Sequence, residues 1–184
     1  MKSWNHIAEQ FARLGQDDDV LPIDANILEL IVALNVLGLP TFSSCGGHDP
    51  ALEEDPEFVR WPMIMIGYLL PARFGGFAND DLTQDQRREM IAYRWRTLRP
   101  LAHQLQSLLE QFRRETGREL LFRARVRHWG LVALVPAALQ ELWDLEETSD
   151  PSVSVRMREL HVFLNEFGRF LRREATGRAE LVAA

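Results

Sequence analysis

One segment of the chain alternates between two kinds of side chain with a period typical of a β-strand. In residues 119–129 (ELLFRARVRHW), Phe122, Ala124 and Val126 alternate with three arginines. A period of two places the two sets on opposite faces of an extended strand. Residues 130–137 (GLVALVPA) follow a tight turn and are almost wholly apolar. The two segments therefore predict a β-hairpin with one arginine-bearing face.

Two further strands are predicted upstream of the hairpin. Residues 62–70 (PMIMIGYLL) form an apolar run that proline bounds on both sides, and the run has the length of a buried strand rather than a helix. The segment LPTFS is short and β-prone, and it predicts a strand that ends at Ser43 or Ser44.

Four segments carry apolar residues at helical spacing, each after a residue that can cap a helix. The capping residues are Ser3, Asp24, Thr83 and Asp150, and glycines 15, 38, 117 and 177 are predicted to end the helices. Pro100 lies inside the long third segment and predicts a kink or two consecutive helices. The element order predicts an α/β (α+β) fold, with a small mixed sheet of about four strands flanked by four to five helices.

The length of 184 residues suits one globular domain, predicted over 1–177, with 178–184 as a frayed C-terminal tail. No apolar run approaches the roughly 20 residues of a membrane span. The N-terminus has no apolar signal-peptide core. A single cysteine excludes an internal disulfide. We therefore expect a cytoplasmic protein with a reduced thiol and no membrane partner.

Charge is segregated along the chain. Residues 1–60 carry 11 acids and 3 bases, residues 87–127 carry 11 arginines and 4 acids, and residues 141–150 carry 5 acids and no base. The segments either build an acidic and a basic face or balance each other internally. The formal net charge of −6 disfavours nucleic acid as a partner. The apolar seams of the long helices are compatible with a homodimer.

Residues for chemistry come together in the segment 43–48 (SSCGGH). Paired glycines permit positive φ and close approach of a ligand to the backbone. Successive backbone N–H groups in such a turn, with the hydroxyls of Ser43 and Ser44, can bind an anion. Cys45 would be a nucleophile or ligand contact, and His48 a general acid or base. The alternative is a generic turn with a buried, inert cysteine.

Two other positions could serve this loop. Asn35 either caps the end of its helix or points toward the loop. The arginines at 123, 125 and 127 are either the solvated side of the hairpin or cations for an anionic ligand. Cys45 and His48 supply only two of the four ligands that structural zinc needs, so no metal site is predicted.

The segment LPIDANILELIVALNVLGLPTFSSCGGH resembles a pattern in a group of uncharacterised bacterial and phage proteins. The shared residues are Asp24, Leu34, Asn35, Gly38, Thr41, Ser44, Cys45, Gly47 and His48. The resemblance covers about a quarter of the chain, and the group has no established activity to carry over. Many members have an acidic or cysteine residue where Gly46 stands. The loop is also faintly similar to the Ser-Cys-Ser-Gly-Arg loop of the wybutosine-tRNA methyltransferase family, with His48 in place of the arginine.

The sequence thus predicts a protein that binds or transforms a small molecule, an anionic one among the candidates, at residues 43–48. The predicted catalytic residues are Cys45 and His48, and the predicted ligand-binding residues are Ser43, Ser44, Gly46, Gly47, Asn35 and Arg125. The alternative is a non-enzymatic interaction or regulatory module that binds a basic protein through the acidic segments at 17–19, 53–55 and 141–150.

Overall fold

The computed structural model describes residues 3–14, 23–47, 61–68, 82–127, 131–138, 142 and 152–183. Within these ranges the helices are α1 (Trp4–Leu14), α2 (Leu28–Val36), α3 (Gln84–Thr116) and α4 (Ser152–Ala183). The strands are β1 (Thr41–Cys45), β2 (Met63–Ile66), β3 (Phe122–Arg127) and β4 (Leu131–Pro136). The predicted hairpin turn at 128–130, Asp150, and the acidic segments at 17–19 and 53–55 lie outside the described residues.

The strands form one sheet in the order β1-β2-β4-β3, and every pairing is antiparallel. The predicted α/β (α+β) fold with about four strands is confirmed, and so is the hairpin, in which Arg123 pairs with Val135 and Arg125 with Ala133. β1 and β3 are the edge strands. Because the sheet is antiparallel, the rule that ligands bind beyond the carboxyl ends of parallel strands does not apply to it.

The helices pack on one face of the sheet, where the period of two collects the apolar side chains of each strand. Phe112 of α3 is fully buried there, and its ring lies edge-on to three rings of α4, at centroid distances of 5.2, 5.5 and 5.6 Å. The sheet residues of this helix face are Phe122, Ile64, Ile66, Val132 and Leu134. This packing is the main hydrophobic core.

The opposite face of the sheet carries Cys45, and we call it the thiol face. Cys45 pairs with Met63, which packs in a separate small cluster with Ala133 and Val135. The register places Ser43, Cys45, Met63, Met65, Ala133, Val135, Arg123 and Arg125 on this face. Ala133 and Val135, on the inner strand β4, are buried, whereas Cys45, Met63, Met65 and Arg123 are half-buried.

Helix ends agree with the sequence in part. The capping box at Thr83 is confirmed, since Gln86 N donates to Thr83 Oγ1 and Thr83 N donates to Gln86 Oε1. Gly117 ends α3 in the left-handed conformation, with a φ of 69°. α3 is one helix that includes Pro100, so two consecutive helices are not formed.

Among the described helices, none combines the length and the hydropathy of a membrane span.

The predicted helix end at Gly177 is wrong, because α4 runs on to Ala183. An interior glycine costs a helix about 1 kcal/mol but does not force it to end where good helix formers follow. The predicted capping role of Asp24 is also wrong. α2 begins at Leu28 after Ile27, without a side-chain cap, and the Asp24 carboxylate accepts a hydrogen bond from a distant glycine instead.

Candidate functional site

The connection from α2 to β1 is a tight, fully bonded turn. Leu39 N donates to Leu34 O at 2.8 Å and Gly38 N donates to Asn35 O at 3.1 Å. This pair of bonds is a Schellman motif, which needs a left-handed residue, and Gly38 supplies a φ of 81°. Leu34 and Leu39 are both completely buried beneath the turn. The turn thereby fixes where β1 begins relative to α2.

Asn35 ties the end of α2 to the start of β1. Its Nδ2 donates to Ile31 O at 2.9 Å and to Thr41 Oγ1 at 2.8 Å, and Thr41 N donates to its Oδ1 at 3.4 Å. All these contacts precede residue 43. The Asn35 side chain therefore links α2 to β1, and its amide is engaged away from the 43–48 segment.

Cys45 is the last residue of β1, one or two positions beyond the predicted end at Ser44 or Ser43, and its half-buried side chain belongs to the sheet. Ser43 is exposed on the thiol face, while Ser44 pairs with Ile64 and shares the helix face. Only one of the two predicted serines thus accompanies the thiol. His48 lies outside the described residues, so its pairing with Cys45 stays a prediction.

Three side chains hold the two peptide groups on either side of Gly46, and we call them the Gly46 clamp. Asp24 Oδ2 accepts from Gly46 N at 2.6 Å. His161 Nε2, from α4, lies 2.7 Å from Gly46 O, and Asn26 Nδ2 donates to the same oxygen at 3.4 Å. The clamp approaches from the helix side of the sheet, because His161 belongs to α4, and a Cβ built on Gly46 would meet Asn26 and Asp24. It fixes the backbone while the thiol faces away from it.

The clamp also determines the proton arrangement on His161. Gly46 O can only accept, so His161 Nε2 carries a hydrogen and donates it. Asn26 Nδ2, another donor, lies 3.3 Å from His161 Nε2 and converges on the same carbonyl. The Nε2 atom is therefore committed to the backbone and is not a general base for Cys45.

Neither Gly46 nor Gly47 has room for a side chain. A Cβ on Gly46 would overlap Asn26 Oδ1 and lie 2.9 Å from Asp24 Cβ. Gly47 has a φ of 87°, and a Cβ there would lie 2.7 Å from Pro62 Cγ and 2.8 Å from the sulfur of Met157. The glycine pair is thus required by packing. Because Gly46 N–H already donates to a carboxylate, it is not offered to an anionic ligand.

Arg123 and Arg125 of β3 lie on the same face of the sheet as the thiol, at the opposite edge. A row of paired positions runs from Cys45 through Met63 and Val135 to Arg123, and three strand spacings separate its ends by roughly 14 Å. Arg123 Nε is buried, and no residue in the described ranges forms a hydrogen bond with it. Arg125 is exposed, and within the described residues neither arginine forms an ion pair.

Two members of the clamp, Asn26 and His161, are absent from the sequence-based site. Asn26 carries no local motif, and His161 is 115 positions from Gly46. His161 lies on a helix predicted from its apolar seam and the cap at Asp150, and neither signal singles out His161, so only the tertiary arrangement of α4 over the turn identifies it. Asp24 stands out in the sequence as an acid just before a helix, but a residue of that type at that position also predicts a helix cap.

Removing the Asp24 carboxylate tests the clamp. Asp24→Ala leaves Gly46 N–H without its acceptor in a partly buried site, and we expect a loss of about 1–3 kcal/mol in the free energy of unfolding. Glu29→Ala is the matched control, because Glu29 makes a surface ion pair with Arg172 worth about 1 kcal/mol or less. Urea denaturation measures both. Equal losses in the two variants would contradict the clamp.

The described residues offer little for a metal ion. No group of three or more His, Cys, Asp or Glu side chains among them is arranged to hold one. The groove between α4 and the start of β3 has a volume of about 560 Å³ and is lined by Leu121, Val155 and Phe163 among others. Neither the Gly46 clamp nor the Cys45 thiol lies among its described lining residues.

No protein-family model, curated protein or solved structure matches the chain.

Proposed function

We propose that the thiol face binds a small anionic molecule, with Cys45 as a ligand contact or nucleophile and Arg123 and Arg125 as the cations. The proposal joins the predicted Cys45 and Arg125 on one face of one sheet. It replaces the turn N–H groups by arginines as the anion-binding donors, since Gly46 N–H is bonded to Asp24.

One observation carries the proposal: Arg123 Nε is buried and has no hydrogen-bond partner among the described residues. Burial of an unpaired polar group costs free energy, which an anion can recover. A guanidinium is also the group best suited to two-point binding of a carboxylate or phosphate. Arg125, two residues along the same strand face, supplies a second cation. The bound molecule would therefore carry at least one carboxylate or phosphate.

The rest of the face limits the shape of the ligand. Met63 and Met65, both half-buried, lie between the two edges and offer flexible apolar contacts. A ligand anchored at Arg123 and in contact with Cys45 must span several ångströms across these methionines. We therefore propose an anionic headgroup with an apolar body rather than a compact inorganic ion.

The Gly46 clamp supports the site from the other side of the sheet. Asp24 and His161 hold both peptide groups next to Cys45, at 2.6 and 2.7 Å. A backbone fixed in this way holds the thiol in one orientation before a ligand arrives, which reduces the entropy lost on binding. If Cys45 acts as a nucleophile, His48 remains the proposed acid or base.

Protection of the thiol tests the proposal. We expect phenyl phosphate and benzoate to slow the modification of Cys45 by iodoacetamide, and neutral benzamide not to do so. Arg123→Gln should abolish the protection, while Arg88→Gln, which removes an exposed arginine on α3, should leave it intact. Mass spectrometry of the labelled protein gives the rates. Protection that is absent in the wild type, or unchanged in Arg123→Gln, would refute the proposed function.

A further inference from the structure

The first half of α3 presents a continuous exposed stripe to solvent. Its residues recur at intervals of three or four along the helix, so they lie on one side of it. Ile91 is 50% and Trp95 59% exposed, which is unusual for large apolar side chains one turn apart. The stripe, named here for Trp95, consists of Arg88, Ile91, Ala92, Trp95, Arg96, Arg99 and His103, all exposed.

The other side of the same helix faces the protein. Met90 and Leu98 are buried there, at 4% and 3% exposure. Arg94 is half-buried, and burial lowers the pKa of its guanidinium below the usual value. Arg94 therefore belongs to the protein side, and the arginines of the Trp95 stripe are a separate, outward-facing set.

Two arginines of the stripe have no carboxylate partner among the described residues. Arg96 Nε donates to Ala92 O of its own helix at 3.3 Å, and Arg99 Nε lies 3.5 Å from His103 Nε2. Arg88 makes a loose pair with Asp85 at 3.7 Å, and both side chains are largely in water. The stripe thus has an excess of positive charge, although the chain as a whole carries −6.

The shape of the surface favours a macromolecule over a small ligand. A groove of about 540 Å³ is lined by Trp95, Arg96, Arg99, Pro100 and His103. All five belong to one helix, so the part of the chain that the structure describes gives the groove no opposing wall. Small-molecule sites bury most of their ligand, which a single convex helix does not do. A protein or nucleic acid partner would supply the missing wall itself.

We propose that the Trp95 stripe is a docking face for an acidic segment of another protein. Tryptophan and arginine are the side chains that most often anchor protein interfaces, and aliphatic Ile91 gains from an apolar protein partner rather than from stacked bases. Three arginines release few counterions from a nucleic acid, and the net negative chain repels one. A symmetric contact with a second copy would set these arginines against each other.

Two designed helical peptides test the docking face. Both carry leucine on one side, and one flanks it with glutamate and the other with lysine. We expect the glutamate peptide to bind at least about tenfold more tightly, with affinity falling as salt rises from about 50 to 300 mM. Trp95→Ala and Arg96→Gln/Arg99→Gln should each weaken it at least about fivefold. Val155→Ala and Arg169→Gln, exposed positions on α4, are the matched controls and should change it less than twofold.

Each of the following results would overturn the docking face. The two peptides could bind equally, or the α3 and α4 variants could behave alike. Single-stranded oligothymidylate could bind more tightly than the glutamate peptide in a Trp95-dependent way, which would assign the stripe to nucleic acid. Sedimentation of the protein alone could show a dimer that Trp95→Ala abolishes, which would assign it to a second copy. The variants are at exposed positions, and circular dichroism confirms that they fold.

Discussion

Gly47→Ala is expected to lower the free energy of unfolding by about 2–5 kcal/mol. A left-handed backbone costs a residue with a Cβ about 1–2 kcal/mol, and forced overpacking adds about 1–3 kcal/mol. Both apply, because the φ is 87° and the new Cβ would press on Pro62 and Met157. Pro62 leads into β2 and Met157 belongs to α4, so neither neighbour moves without disturbing the sheet or the core.

The other glycines of the chain separate the two contributions. At position 38 an added Cβ would have no neighbouring atom within 4 Å, and the φ is 81°. Gly38→Ala should therefore lower the free energy of unfolding only by the cost of the left-handed backbone, about 1–2 kcal/mol. Gly46→Ala has no positive φ but overlaps Asn26, and it should cost about 1–3 kcal/mol from overpacking. Gly177→Ala, in the open on α4, should stabilise by about 1 kcal/mol.

Urea denaturation of these four variants gives the comparison directly. If Gly47→Ala and Gly38→Ala cost the same, the turn does not pack against Pro62 and Met157. If Gly46→Ala costs nothing, Asp24 and Asn26 do not enclose the turn. Either result would remove the physical basis for a thiol held in a fixed orientation.

The fold followed from local patterns in the sequence because those patterns report burial. Alternation in 119–129 and the apolar run in 62–70 each correspond to a strand, and Thr83 with Gln86 to a capping box. What local patterns do not encode is the pairing of separated segments. The strand order β1-β2-β4-β3, and with it the shared face of Cys45 and Arg123, depends on the pairing of β2 with β4, whose partners are 66 to 70 positions apart.

The sequence identifies the segment 43–48 as a candidate site, but it does not reveal how the residues of that segment are arranged. The segment 43–48 contains the thiol and the glycine pair, yet the glycines are explained by neighbours from α4 and from the lead into α2. Asp24 and Asn35 stand out in the sequence as polar residues beside apolar ones. Both side chains stabilise the fold, because Asp24 accepts a hydrogen bond from Gly46 N and Asn35 donates one to Thr41. Among the described residues, the side chains of the predicted site that remain for ligand chemistry are Cys45, Ser43 and the arginines across the sheet.

The reactivity of Cys45 should depend on the charge of the reagent. Iodoacetate and iodoacetamide attack the same sulfur, but only iodoacetate carries the carboxylate that Arg123 and Arg125 would attract. We expect the double variant Arg123→Gln/Arg125→Gln to lower the ratio of iodoacetate to iodoacetamide rate constants by about tenfold at low salt. The effect should shrink as salt is added, because added ions screen the arginines.

The matched control is Arg88→Gln/Arg169→Gln, which removes two exposed arginines of α3 and α4 and changes the net charge equally. It should alter the rate ratio less than about twofold, because both arginines belong to helices that pack on the opposite face of the sheet from the thiol. Both double variants are compared at the same pH, and the ratio cancels any change in the fraction of thiolate.

The rate ratio at Cys45 is the most direct test of the thiol face as an anion site. The account predicts a tenfold fall in the strand β3 double variant and almost none in the helix double variant. A ratio that is the same in the wild type and both variants would show that the arginines and the thiol do not act on one ligand, and it would contradict the account.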